Sequence, residues 1–170
     1  MHARKILTRL LLALSMCFAM HAWAQGETVW IADKNGCKVA NPFPQPEETI
    51  TWSGKCKNGF AEGEGVLEWF VKGKSADRYD GMLKQGWAEG RGTLTRAEGS
   101  RYSGQWVRSQ QEGEGRLDAP DGSSYEGQWK QGKPHGSGRY RTPDGRVITG
   151  EWVDGEFQDD ETFEQDLNRT

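Results

Sequence analysis

His135, the glutamates Glu62, Glu89 and Glu112, and the cysteines Cys37 and Cys56 are the residues of this sequence whose chemistry reaches beyond packing. A histidine near carboxylates is the material of acid–base catalysis or of a zinc site. Neither set is complete. Past residue 24, His135 is the only histidine, and it stands in Lys-Pro-His-Gly, a bend sequence that gives it a structural or neutral reading. The three glutamates recur at equivalent points, with Glu64 and Glu114 two residues further on and therefore on the same face of a strand. Such a column could bind a cation or a basic partner. An ordinary solvated face is the stronger reading, since outward β positions are usually polar, with Lys57, Lys84 and Lys130 across the same hairpins softening the repulsion. The serines form no Gly-x-Ser-x-Gly elbow. The Gly-x-Gly pairs sit inside extended patterns with no helical pattern after them, unlike a phosphate cradle. No catalytic residue, metal ligand or cofactor is assigned, and the chain reads as non-enzymatic.

What positions these residues is a repeat. Five glycines, Gly54, Gly81, Gly104, Gly127 and Gly150, open equivalent segments; the last three intervals are 23 residues and the first is 27. A fixed period of this length marks a repeat architecture. Two residues before each glycine stand Trp52, Tyr79, Tyr102, Tyr125 and Ile148; two after stand Cys56, Leu83, Trp106, Trp129 and Trp152. A turn follows at Asn58-Gly59, Gln85-Gly86, Gln131-Gly132 and Asp154-Gly155, with Arg108-Ser109 departing in the third copy. Then come Gly63-x-Gly65, Gly90-x-Gly92, Gly113-x-Gly115 and Gly136-x-Gly138, with Leu67, Leu94, Leu117 and Tyr140 two residues beyond.

Alternation along a strand puts Tyr125, Gly127 and Trp129 on one face, and Asn-Gly or Asp-Gly supplies the positive φ of a tight hairpin. Each copy is therefore a hairpin. The fold expected is all-β: an elongated, twisted, single-layer antiparallel ribbon whose large rings lie flat in glycine troughs as two ladders, a bulkier residue colliding with an indole. The ladder residues are Trp52, Tyr79, Leu83, Tyr102, Trp106, Tyr125, Trp129, Ile148 and Trp152. The longer first interval is filled by EWFVKGKSAD and predicts a longer hairpin with Gly73 near its tip.

Composition agrees with a thin aromatic core: 34% of the 170 residues are hydrophobic, yet there are 23 glycines and 8 tryptophans. Residues 1–24 read as a signal peptide, with Arg4, Lys5 and Arg9 before the apolar run Leu10–Met20 and an Ala22-Trp23-Ala24 cleavage signal. Cleavage between Ala24 and Gln25 makes the mature chain periplasmic or secreted. Lipidation of Cys17 is the weaker reading, because Met16 stands where a small residue is wanted. Removing the signal leaves 19 basic against 25 acidic residues and moves the formal net charge from -3 to -6. That sign excludes nucleic acid as the default partner and disfavours anionic membrane lipid.

The segments YSGQW and YEGQW, each followed by Gly-x-Gly at 23-residue spacing, resemble MORN repeats over about residues 50–158. The resemblance implies an antiparallel ribbon acting as a scaffold, dimerisation or partner-docking surface; lipid binding is also proposed for that family, and it brings no catalytic residues. A signal-bearing five-copy version is similar to small exported bacterial members. Choline-binding repeats are also Gly- and Trp-rich, but their usual Gly-Trp opening is missing here.

Residues 25–49 are expected to fold back as a cap pinned by a Cys37–Cys56 disulfide, which the oxidising compartment permits; two free thiols are the alternative. Phe60, Trp87 and Phe157, just after turn glycines, form a candidate partner-binding strip or else local core. Residues 159–170 are an acidic tail outside the pattern. The function expected is a scaffold or protein-interaction module with an unidentified protein partner. The alternatives are an accessory docking or lid module for an envelope enzyme, or a weak lipid or glycan binder. Strand edges at both ribbon ends leave homodimerisation open.

Overall fold

The computed structural model describes residues 28–158, so the expected signal peptide, Cys17 and the acidic tail lie outside the described residues. No helix forms among them. The strands are β1 (Trp30–Ala32), β2 (Lys38–Ala40), β3 (Glu48–Trp52), β4 (Lys55–Lys57), β5 (Phe60–Val71), β6 (Lys74–Lys84) and β7 (Trp87–Thr95). They continue as β8 (Arg101–Val107), β9 (Gln110–Asp118), β10 (Ser124–Lys130), β11 (Lys133–Arg141), β12 (Val147–Val153) and β13 (Glu156–Phe157). From β5 onward each strand pairs antiparallel with the next, in sequence order, to make one open sheet. Both β3 and β4 pair with β5, and β2 joins β5 through a single parallel pairing of Lys38 with Phe60. Lys72 and Gly73 form the turn of the longest hairpin, both at positive φ.

Glycine opposes glycine across each strand pair of the repeats: Gly81 and Gly92, Gly104 and Gly115, Gly127 and Gly138. A phenol ring roofs each pair. A Cβ on Gly81 would lie 2.7 Å from the Tyr79 hydroxyl, and one on Gly115 would overlap the Tyr102 ring. The collision is therefore with tyrosine in these copies, and with an indole only in the first, where Trp52 covers Gly54 and Gly65. Beyond each pair the register slips: Gly104 faces Gly115, but Gln105 faces Glu112, leaving Gly113 and Glu114 as a bulge. That bulge explains the first glycine of each Gly-x-Gly. Gly63, Gly90, Gly113 and Gly136 have φ of 84°, 69°, 64° and 71°, the left-handed region, and no ring crosses Gly63 or Gly90.

Each bulge leaves a backbone carbonyl that the roof satisfies. The Tyr79, Tyr102 and Tyr125 hydroxyls donate to the carbonyls of Met82, Gln105 and Gln128 at 3.1, 3.1 and 3.0 Å. The indole N–H groups of Trp106 and Trp129 donate to the Gly92 and Gly115 carbonyls at 3.1 and 3.0 Å. The rings do not form two flat ladders. They form one zigzag, Tyr79–Trp106–Tyr102–Trp129–Tyr125–Trp152, with centroids 5.0 to 5.5 Å apart and planes crossing at 80° to 89°. Edge-to-face contact suits the ring quadrupoles better than a face-to-face stack. Leu83 is buried in the tryptophan slot of the second copy. Ile148, expected among the ladder residues, is instead 38% exposed, because β13 pairs with β12 only at Trp152 and Val153 and leaves Ile148 with no strand on its far side.

Burial first, and then the charge of Glu89 for Tyr79 or of Glu112 for Tyr102, pushes both phenols well above the ordinary value of 10.0. Their neutral forms are favoured in the folded state. The stability they contribute is complete below the pKa of an unfolded tyrosine and lost as pH rises from there toward the folded value. We expect stability to fall above about pH 10, with the Tyr79 and Tyr102 ring signals in NMR showing no ionisation until the chain unfolds. Ionisation of those two rings in the folded protein at the ordinary tyrosine value would contradict the roof geometry. Truncating Trp129 to alanine should cost about 3–5 kcal/mol in urea unfolding. Gly115→Ala should be destabilising through collision, whereas Gly90→Asn should be tolerated better than Gly90→Val, since only backbone conformation is demanded there.

Candidate functional site

The hairpin turns after β4, β6, β8, β10 and β12 stack along one long edge of the sheet. Their first residues, Asn58, Gln85, Arg108, Gln131 and Asp154, all have φ between 48° and 52°. The carboxylate column serves these turns. Glu62 accepts from the Gln85 backbone N–H at 2.8 Å, Glu89 from Arg108 at 3.2 Å and Glu112 from Gln131 at 3.0 Å. The second turn residue donates as well: the Gly86, Ser109, Gly132 and Gly155 N–H groups reach the Ala61, Ala88, Gln111 and Pro134 carbonyls at 2.9 to 3.0 Å. The turns at Gln85, Arg108 and Gln131 are thus each held by two bonds to the unit before, and the turn at Asp154 by one. The Arg108-Ser109 turn, which lacks glycine, is reinforced by the Ser109 hydroxyl accepting from the Ala88 N–H at 3.0 Å. His135 takes the column position in the fourth copy, where its Nδ1 lies 3.8 Å from an Asp154 carboxylate oxygen and has no hydrogen-bond partner. No group of metal-ligating side chains forms among the described residues. The signal for these clasps was in the sequence, as a glutamate repeating at the period of the turns, but the acceptor's target is a backbone group that no residue type announces.

The cap saddles this turn edge. Cys37 and Cys56 are disulfide-bonded with Cα atoms 5.5 Å apart. The Lys38 N–H donates to the Gly59 carbonyl and the Ala40 N–H to the Gly86 carbonyl, at 3.0 and 2.9 Å, so β2 crosses the first two turns. Asp33 shapes the β1–β2 turn by accepting from the Asn35 and Cys37 N–H groups, both at 2.9 Å. Val39 is driven into the core at 1% exposure. On the other side of the edge Trp30 packs edge-on against Phe60 and Trp87, with centroids 4.9 and 5.6 Å apart.

Between the cap and the sheet's ring face a groove of about 500 Å³ remains open. Leu67, Leu94 and Trp106 line it together with Val39, Phe43 and Trp69. Phe43, at its rim, is 72% exposed. Glu48 holds the rim loop in place through the Asn41 side chain at 2.6 Å and the Gln45 N–H at 3.1 Å.

The family model described as the MORN repeat matches residues 53–73, 79–101, 102–124 and 125–145, the four units whose hairpins, glycine pairs and turns have just been described. The chain belongs to the MORN repeat family. No curated protein matches it in a sequence search. The fifth copy lies outside the matched MORN repeats, yet its opening strand β12 and its turn at Asp154-Gly155 are formed. MORN repeats are non-catalytic interaction modules.

The three rings expected as one strip do not lie together. Phe60 and Trp87 face away from the ring zigzag and meet under Trp30. Phe157 pairs with Trp152, lies on the ring side 5.3 Å from its indole and covers Gly150, closing the far end of the MORN array. It holds the position of Ala61, Ala88, Gln111 and Pro134, one residue out of step with Phe60 and Trp87, and one residue reverses the face.

Two measurements test these attachments. Thiol titration of denatured, unreduced protein lacking residues 1–24 should find no free thiol, and reduction should lower stability by about 3 kcal/mol on the chain-entropy account. Glu112→Ala should cost about 0.5–1.5 kcal/mol by removing the carboxylate's bond to the Gln131 turn, while Glu114→Ala should be near neutral.

Proposed function

We propose that the protein is a non-enzymatic module of the cell envelope or extracellular space that docks an apolar, extended segment of a partner protein in the groove beside its cap. The groove carries this reading. It is an apolar channel floored by a ring layer already stiffened by its own hydrogen bonds, so binding would order little of the host. Its rim places Phe43 almost fully in water, where an aromatic side chain has most to gain from a partner. A disulfide holding the groove's cap in place fits export along the route that the leader sequence predicts.

A photoreactive residue tests this when placed at position 43 and, as control, at Val107, which is 48% exposed away from the groove. Position 43 should give a discrete crosslinked protein whose yield is lowered by excess parent protein added before irradiation but not by the same excess of the Phe43→Asp variant. Equal crosslinking from both positions, or none from 43, would contradict the docking reading. The amino terminus of the purified envelope fraction should begin at Gln25.

A further inference from the structure

The side of the sheet opposite the groove carries a second recess, of about 400 Å³, between Trp30 of the cap and the first two repeats. We propose that it is a saccharide-binding site. Its walls are three aromatic rings, Trp30, Phe60 and Trp87, and its polar lining is Lys57, Asn58, Glu62 and Gln85. The volume falls near the lower end of the roughly 300–1,000 Å³ of small-ligand sites, enough for one or two sugar rings. A pyranose presents an apolar C–H face and a girdle of hydroxyls that both donate and accept. Rings flanked by amides, one ammonium and one carboxylate complement both parts.

The hydrogen-bonding state of the recess separates it from the rest of the molecule. The indoles of Trp52, Trp106 and Trp129 all donate to backbone carbonyls. Those of Trp30 and Trp87 donate to no described residue, and Trp30 as a whole is 37% exposed. The Asn58, Gln85 and Lys57 side chains likewise engage no described residue, and Glu62 spends one carboxylate oxygen on the Gln85 turn, keeping the other. A half-buried aromatic recess therefore offers donors and acceptors that the fold itself does not use.

Charge argues against the main competing ligand of aromatic recesses. A quaternary ammonium needs an open ring face away from other cations. Here the Arg108 guanidinium already lies 5.1 Å over the Trp87 ring, and the Lys38 ammonium lies 6.0 Å from the Phe60 centroid. Trp30 belongs to the cap and not to a repeat, so the recess is particular to this chain's union of cap and array. It shares no wall with the groove, and either site can fail without the other.

The test is titration of the ¹⁵N-labelled mature chain with three oligosaccharides: chitotetraose, maltotetraose and tetragalacturonate. At least one should shift the Trp30 and Trp87 indole N–H signals saturably and leave those of Trp106 and Trp129 in place. Trp30→Phe and Lys57→Ala should each weaken that binding about tenfold, or about 1.4 kcal/mol. Lys57 is exposed and its side chain makes no hydrogen bond or ion pair with a described residue, so its variant should melt like the parent. No shift with any of the three sugars would overturn the proposal. So would equal shifts with inorganic phosphate or tetramethylammonium, or binding that both variants leave unchanged.

Discussion

Two backbones brought together at facing glycines, with a phenol ring laid across them, are the contact on which the rest of this molecule depends. Removing both side chains lets the tyrosine ring settle where Cβ atoms would be, and its hydroxyl then reaches a carbonyl that the neighbouring bulge has freed. Bulge, roof and bond form one unit. The tryptophan of the next strand stands on edge against that roof and ties its indole to the glycine carbonyl beneath. A layer one ring thick thereby satisfies most of its polar atoms within itself, the exception being the buried Trp152 indole N–H at the end of the zigzag, which finds no partner among the described residues.

Much of this was legible in the sequence. Period, hairpin count, turn positions, the long first hairpin and the Cys37–Cys56 pairing follow from residue types that admit few conformations. The roles within Gly-x-Gly were not. Face parity treats Gly113 and Gly115 as equivalents, and only the backbone reveals that one supplies a left-handed bulge and the other an absence of bulk. Parity misled again at Phe157, where one residue of offset moved a ring to the opposite face. Ile148 was placed in the ladder by its position alone, but a ladder needs a neighbour on both sides, and the short last strand reaches only Trp152 and Val153, leaving Ile148 with one.

The candidate sites were less visible for a different reason. Both lie where the cap meets the repeats, and the cap's path is set by two backbone bonds to turn carbonyls and a disulfide, not by periodicity. Trp30 carries no repeat signature, so nothing in the pattern linked it to Phe60 and Trp87. The glutamate column illustrates the converse: a conspicuous pattern that invites a functional reading turned out to hold the turns. In a repeat protein, what recurs tends to serve the scaffold, and what departs from recurrence is where recognition is to be sought.

The turn bonds run mostly one way. The bends at Gln85, Arg108 and Gln131 each give two backbone hydrogens to acceptors in the unit that precedes them, and the bend at Asp154 gives one, so a new unit rests on an older one; the Ala88 N–H, donating to the Ser109 hydroxyl, runs the other way. Synthesis begins at the amino end, so each arriving hairpin meets a finished template, and the array can grow like masonry laid course upon course. Loss of order should run in reverse, fraying first from the carboxyl-terminal end, where the last bend keeps a single tether.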